Sequence, residues 1–393
     1  MTEPILIISN YYPPEKGAAA NRIEQLALKL QQNGYEVKVV CPLANYPKGA
    51  LFPDYKGKFS VRENLRGIAV KRLWIYPSNS KNILKRIVSI LSFSVGLFFH
   101  LLFGKLPQKV VVQSPPLLLS FIAVTVLSWR GRKIILNVSD LWPSAAIELG
   151  VLKKDSFSHK RLLWIEKSIY RKATLVLGQS NEIISHVQGI VPNKPCFLYR
   201  NFPEHEPGFS PKESGQHIRL FYAGLLGVAQ GVLESCDKMQ LSGLNIEFHI
   251  FGDGAEKAQI EAYIASHPEK NIRFHGMLER QALHGMLETF DIAFVPLTTR
   301  IYGSVPSKIF EYGALGLPLL YFGGGEGGDI VRENNLGWVA EVGDFDDLNA
   351  KLREIATLDK LHIASMKKQV FETASREFNL DAQMAGLIEK RVF

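Results

Sequence analysis

Along its first half the chain alternates short apolar runs, rich in β-branched residues, with longer stretches of helical periodicity. Ile5–Asn10, Glu36–Cys41, Ile68–Trp74, Val110–Gln113, Lys133–Ser139 and Thr174–Gln179 predict strands that are apolar on both faces, as central parallel strands are. Ala19–Asn33, Ile83–Phe103, Leu117–Trp129 and Lys160–Arg171 predict the helices between them. Repetition of that unit predicts a doubly wound α/β sheet. Asn201–Gln216 breaks the rhythm with three prolines and two glycines, the composition of an interdomain connection. The alternation then restarts, with strands expected at Ile218–Ala223, Ile246–Phe251, Ile272–His275, Ile292–Pro296, Leu319–Phe322 and Trp338–Glu341. The expected organisation is a domain over residues 1–200, a linker over 201–217, a second domain over 218–375, and a C-terminal helical segment over 376–393 able to pack back on the first domain. Two such sheets predict a cleft between their strand carboxyl ends, where doubly wound folds bind ligands.

Ile87–Phe103 holds seventeen residues without a formal charge, between Lys81, Lys85 and Arg86 on one side and Lys105 and Lys109 on the other. A spanning helix needs about 20 residues, and here it would part the strand at Val110 from its sheet partners. Two readings stay open. One is a crossover helix buried against the sheet; the other is an interfacial helix that shows lipid an apolar face, with its basic flanks at headgroup level.

Composition excludes wholesale disorder, since 46% of the 393 residues are apolar and 21% charged. Charge is divided unevenly. Residues 1–200 hold 28 Lys and Arg against 11 Asp and Glu, a net +17, whereas residues 201–393 hold 18 against 27, a net −9. The basic half implies an anionic surface as partner, and the absence of any nucleic-acid-binding signature favours lipid headgroups, with no nucleic acid. Cys41, Cys196 and Cys236 form neither a disulfide framework nor a metal pair. Residues 1–10 lack the order of a signal peptide, so a cytoplasmic location is expected.

Several loops carry candidate chemistry. Tyr12–Arg22, between the first strand and first helix, is rich in small residues and suits an anion at a helix start, or is a plain turn. Ser304-Val305-Pro306-Ser307-Lys308 opens another helix with hydroxyls, amides and a lysine, a second anion site. Glu311, about one turn on, could accept two hydrogen bonds from a cis-diol such as ribose, or be a solvated surface carboxylate. Asp140 ends a strand at the carboxyl edge, before Leu141-Trp142-Pro143, and could face a ligand or cap the next helix. Gly252-Asp253-Gly254 is a weak partial dinucleotide fingerprint. Gly323–Gly328 could close over a ligand or be a mobile turn. Asp344-Phe345-Asp346 has the form of a metal-binding DxD, but its place before a helical run favours capping. The histidines, His100 and His159 included, form no metal-spaced pair, and no metal is expected.

Taken together, Tyr11–Arg22, Asn45-Tyr46-Pro47-Lys48-Gly49, Ser114-Pro115-Pro116, Asp140-Leu141-Trp142-Pro143 with Glu148-Leu149-Gly150, and Pro306–Tyr312 resemble the GT-B glycosyltransferases of family 4 over nearly the whole chain. The resemblance is nearest the branch that extends lipid-linked bacterial O-antigen and capsule precursors, including fucosamine transferases. It implies two Rossmann-like domains facing across a cleft and a UDP-sugar donor on the C-terminal domain. Glu311 then binds ribose, and the segment from His275 through Met277 and Leu278 holds the base. Gly17, Gly252, Ser304, Val305, Pro306 and Ser307 surround the diphosphate. Asn21, Arg22, Asp140 and Trp142 meet the acceptor. The reaction implied is a hexosyl transfer that retains anomeric configuration, with no cofactor and no metal, the leaving phosphate taking the acceptor proton. That agrees with the lack of a Ser/His/Asp set or of a glycosidase carboxylate pair.

Two departures stand out. Gly303 occupies the position of the first glutamate of the family's Glu-x7-Glu pattern, and Leu225 and Gln230 fall where an Arg and a Lys often meet the diphosphate. Charge for the leaving diphosphate is then expected from Lys308, with Arg300, Arg22 or backbone amides as the alternatives. The expected function is transfer of a sugar, an amino or deoxy sugar among the candidates, from a UDP-sugar to a polyprenyl-diphosphate-linked saccharide. It would occur on the inner face of a bacterial plasma membrane, to which the protein binds peripherally. A UDP-sugar epimerase of the same fold and a non-catalytic homologue are the alternatives.

Overall fold

The computed structural model describes residues 3–80, 82–148, 150–203 and 215–393. Lys81, Leu149 of the Glu148–Gly150 motif and most of the expected linker, residues 204–214, lie outside them. The chain forms two compact units, Met1–Arg200 with Asp381–Phe393, and Asn201–Leu380.

In the first unit the strands are β1 (Pro4–Ile8), β2 (Glu36–Pro42), β3 (Ser60–Leu65), β4 (Ile68–Leu73), β5 (Lys109–Ser114), β6 (Lys133–Val138), β7 (Leu175–Gly178) and β8 (Cys196–Leu198). They lie in the order β3-β4-β2-β1-β5-β6-β7-β8. All pairs are parallel except β3 with β4. The helices are α1 (Ala18–Gln32), α2 (Ile83–Phe103), α3 (Leu117–Trp129), α4 (Ser144–Glu148), α5 (Phe157–Lys172) and α6 (Asn181–Ile190). Ile5, Ile7, Val111, Ile135 and Val176 on the central strands are wholly buried, which is why those segments read as continuous apolar runs. The antiparallel β3 and the three-residue β8 were not expected: β3 is polar at every second position and exposed at the sheet edge, and β8 is too short to show a period.

The second unit holds β9 (Ile218–Leu225), β10 (Ile246–Asp253), β11 (Ile272–Phe274), β12 (Ile292–Pro296), β13 (Leu319–Phe322) and β14 (Gly337–Ala340). They form an all-parallel sheet in the order β11-β10-β9-β12-β13-β14. Its helices are α7 (Val232–Lys238), α8 (Lys257–Ser266), α9 (Arg280–Leu287), α10 (Lys308–Ala314), α11 (Glu326–Glu333), α12 (Phe345–Ala356) and α13 (Lys360–Glu377). Both sheets reverse strand order beside their first strand, the switch point at which this architecture leaves a crevice.

Helix α10 is locked from two sides. Tyr312 donates its hydroxyl to the Ala223 carbonyl at 3.2 Å, and Phe202, Phe310 and Phe378 form a cluster with centroids 5.0–5.6 Å apart. The last helix, α14 (Leu380–Glu389), belongs to the first unit from Asp381 onward. Lys29 pairs with Asp381 at 2.7 Å, Arg200 and Gln383 exchange backbone-to-amide bonds of 2.8 and 3.1 Å, and Val392 and Phe393 are buried.

Candidate functional site

At the carboxyl ends of β9 and β10, Gly224 and Gly252 are register partners. Their φ values of +159° and +147° suit glycine. A Cβ on Gly252 would fall 1.9 Å from the Gly224 carbonyl oxygen, and one on Gly224 would fall 2.3 Å from Lys308 Nζ. Two glycines therefore let the strand ends close up while a lysine lies against them. Gly252 is not a free donor, because its N–H is given to the Gly276 carbonyl at 2.9 Å. Its contribution is close approach. That bond also ties the segment from His275 to Leu278 to the strand ends; there Met277 is 72% exposed and Leu278 half-buried.

Lys308, the first residue of α10, directs its ammonium over the Tyr222 ring, 4.3 Å from the centroid. Desolvation lowers its pKa to about 8, and the nearby Glu311 carboxylate opposes the shift. Glu311 sits one turn on, half-buried, with its N–H on the Ser307 carbonyl at 3.0 Å. A cation and a carboxylate at i and i+3 thus share one face of α10. Helix α10 is only seven residues long and Ser307 makes no side-chain capping bond, so the positive charge here is that of Lys308 rather than a helix dipole. Val305 is 7% exposed; its side chain is core, and only its backbone can meet a ligand. Ser304, Pro306 and Ser307 are half-buried.

In the first unit, β6 ends at Val138 and the chain runs through Ser139 to Asp140, half-buried, with Leu141 fully buried and Trp142 half-buried. Burial raises the Asp140 pKa, and Arg22 and a Ser139 hydrogen bond act against the rise. Arg22 itself is 4% exposed. It donates to Gln179 Oε1 at 2.8 Å, Asn137 Oδ1 at 3.0 Å and the Tyr199 carbonyl at 3.2 Å. The Arg22 side chain, expected among the acceptor contacts, is thus buried, with both terminal nitrogens bonded inside the unit and Nε buried without a protein partner, and its charge acts on Asp140. Asn21, in the first turn of α1, is exposed.

One organising residue, Glu15, escaped the sequence reading. Its buried carboxylate accepts the amides of Asn45 and Tyr46, each at 2.9 Å, and of Tyr12 at 3.3 Å, fastening the Tyr11–Arg22 loop to the Asn45–Gly49 loop. Gly17, at φ +148°, lies against Tyr46, whose ring would stand 3.5 Å from an added Cβ. The only sequence signal was an acid within a loop of small residues; two of its three partners, Asn45 and Tyr46, lie thirty or more positions away.

One candidate loop takes its capping reading, and another is neither a flap nor a mobile turn. Asp344 caps α12, accepting from the amides of Asp346 and Asp347 at 3.0 Å each. In the Gly323–Gly328 turn, Gly324 accepts the Tyr321 hydroxyl at 3.2 Å. A Cβ on Gly323 or Gly327 would come within 3.1 or 2.6 Å of that side chain, so this is a tightly packed turn into α11 rather than an open flap.

Residues 17–197 match the family of glycosyl transferase 4-like domains, and residues 211–370 the family of glycosyl transferases group 1. The chain belongs to the GT-B glycosyltransferases of the family-4 type. It is 27% identical to the probable glycosyltransferase WbjE of Pseudomonas aeruginosa over 63% of this chain and 66% of that one. It is 23% identical to the putative colanic acid biosynthesis glycosyl transferase WcaI of Escherichia coli, over 79% and 81%. The fold is shared with the solved E. coli trehalose-6-phosphate protein bound with UDP-2-fluoro glucose, at a TM-score of 0.70 and 12% identity over 99% and 98% of the two chains.

Within this GT-B chain the departure at Gly303 is written into the backbone. Its φ is +83°, a conformation that a glutamate would adopt only with strain. Leu225 is 64% exposed and its carbonyl accepts the Tyr222 hydroxyl at 2.6 Å. Gln230 lies half-buried. Arg300 is exposed beside Gly324. Of the cations considered for the diphosphate, Lys308 is the one held against the glycine ends of β9 and β10.

Proposed function

We propose that this glycosyltransferase moves a sugar from a UDP-sugar to a polyprenyl-diphosphate-linked saccharide during synthesis of a bacterial surface polysaccharide. The observation that carries the reading is Lys308 and Glu311 on one face of α10, with the lysine packed against Gly224. A diphosphate beside Gly224 would recover for Lys308 the counter-charge that burial denies it, while Glu311 would take two ribose hydroxyls. The nucleotide seen in the trehalose-6-phosphate relative of the fold and the polysaccharide names of WcaI and its kind support donor and pathway class.

In the proposed step the bond between the anomeric carbon and the diphosphate oxygen breaks. The acceptor oxygen bonds that carbon on the same face, and the acceptor proton passes to the departing phosphate oxygen. Configuration is retained, UDP leaves, and no metal is needed. Lys308 stabilises the charge that grows on the leaving group, and Asp140 in the first unit orients the acceptor hydroxyl. The protein works at the inner face of the plasma membrane, held by the anionic leaflet.

Screening nucleotide sugars for thermal stabilisation identifies the donor, because a ligand of the native state raises apparent stability with its affinity. Incubation of that donor with polyprenyl-diphosphate saccharide should yield a lengthened lipid and UDP. Isomerised donor without any acceptor would mark an epimerase instead.

A further inference from the structure

From Ile87 to Phe103 helix α2 carries no lysine, arginine or carboxylate, yet the unit covers only one side of it. Phe93, Leu97 and Leu101 are wholly buried, and Gly96 lies close enough to Leu73 on β4 that an added Cβ would stand 3.8 Å from it. On the opposite side Leu84, Ile87, Val88, Leu91, Val95, Phe99 and Phe103 form one continuous stripe, each 40–77% exposed. A helix this apolar belongs in a core or in lipid, and the exposed side of this one is in neither.

Length and composition would let Leu84–Phe103 cross a bilayer. Its two ends forbid that, because β4 and β5, on either side of it, belong to one sheet. The helix can only lie along a surface. Its neighbours say which kind. α2 packs on α3 and α3 on α5, and the outer side of that layer adds Trp129, Phe157, Leu163 and Trp164, all exposed. On the three helices every exposed formal charge is positive, although Asp155, just before the Ser156 cap of α5, is an exposed carboxylate. Lys85 and Arg86 stand in the first turn of α2 and Lys105 just beyond its end, and Lys160, Arg161, Lys167 and Arg171 rise from α5, all exposed. α2 and α3 hold no carboxylate. The single one on α5, Glu166, is wholly buried and bonded to His186 at 2.9 Å and Tyr170 at 3.1 Å.

We propose that α2, α3 and α5 form one membrane-docking plane. In it the α2 stripe with Trp129 and Trp164 enters the acyl boundary of an anionic bilayer while the lysines and arginines meet its phosphates. This rests on the membrane location given under the proposed function and assigns it a surface. Apolar insertion and a cationic field are the two signals that stable peripheral anchoring requires.

The test is co-flotation of the full chain with phosphatidylcholine vesicles, with and without 30% phosphatidylglycerol, at low and high salt. Val95→Asp/Phe99→Asp and, separately, Lys160→Glu/Arg161→Glu/Lys167→Glu alter only exposed side chains. Each should lower binding to anionic vesicles at least tenfold and leave UDP affinity by calorimetry unchanged. Brominated lipid should quench the native chain's fluorescence, and much less that of Trp129→Phe/Trp164→Phe. Carbonate should release the bound protein. Equal binding to neutral vesicles, indifference to either set of substitutions, or resistance to carbonate would overturn the docking plane. So would a dimer that the α2 substitutions dissolve in a chain that binds no vesicles. Vesicle binding without UDP binding would instead overturn the UDP-sugar reading and leave the docking plane standing.

Discussion

The Lys308 ammonium stands 4.3 Å from the centre of the Tyr222 ring, and the Tyr222 hydroxyl is bonded to the Leu225 carbonyl. A ring face attracts a cation but replaces little of the water it has lost, so the lysine is held charged at a cost that the Glu311 carboxylate offsets only in part. That makes Lys308 responsive to pH and, under the proposed function, to a diphosphate.

Lys308→Met should lower kcat about 10²- to 10³-fold, the usual effect of removing one preorganised electrostatic donor. In the native enzyme kcat/KM should fall as pH rises through about 8, since the lysine is then neutral. Stability of the ligand-free protein should move the other way. Between pH 8 and the ordinary lysine range the unfolded chain holds a proton that the folded chain has released, so the lysine's contribution to stability rises with pH. Denaturation series for the native and Lys308→Met proteins should differ in that window; parallel curves would count against a desolvated lysine.

Arg22→Met should raise the Asp140 pKa, because the guanidinium charge is what opposes the desolvation of that carboxylate. If Asp140 works ionised, the acid limb of the kcat profile moves to higher pH. Asp140→Asn should remove the limb together with most of kcat. A lower Tm with an unmoved limb would make Arg22 purely structural.

Glu311→Ala should weaken UDP at least tenfold by calorimetry, about 1.4 kcal/mol, with little change in the binding of inorganic diphosphate. Equal losses for both ligands would place the carboxylate on the phosphates' side of the problem rather than on ribose.

Gly303→Glu restores the residue usual in the family but should not restore its contact. At φ +83° the substitution should cost about 1–3 kcal/mol of backbone strain, read as a lower Tm without a gain in donor affinity. A tighter donor at unchanged Tm would contradict the conformational argument.

EDTA should leave turnover intact, and Asp344→Ala should cost about 0.5–2 kcal/mol of stability as a lost helix cap while kcat at low temperature stays the same. Loss of turnover in EDTA would restore a metal role.

The two doubly wound sheets were legible because strands buried on both faces declare themselves as apolar runs, as at Val110–Val112 and Ile292–Val295. β3 was not, since its alternating polar pattern is that of an exposed edge. Around the site, Lys308 and Glu311 were readable as a pair, being three residues apart on one helix. Glu15 and the network of Arg22 were not, because most of their partners lie 30 to 177 positions away.

By itself the amino-acid order determined which segments become strands and helices, how many sheets they build, and which glycines and prolines punctuate the loops, all consequences of periodicity and local backbone preference. Only the folded chain decided that the same lysine lies desolvated against Gly224, that Arg22 is spent inside its unit, and that one face of α2 is covered while the other is open. Those outcomes depend on which distant atoms take the place of water around each side chain, a quantity that linear spacing does not contain.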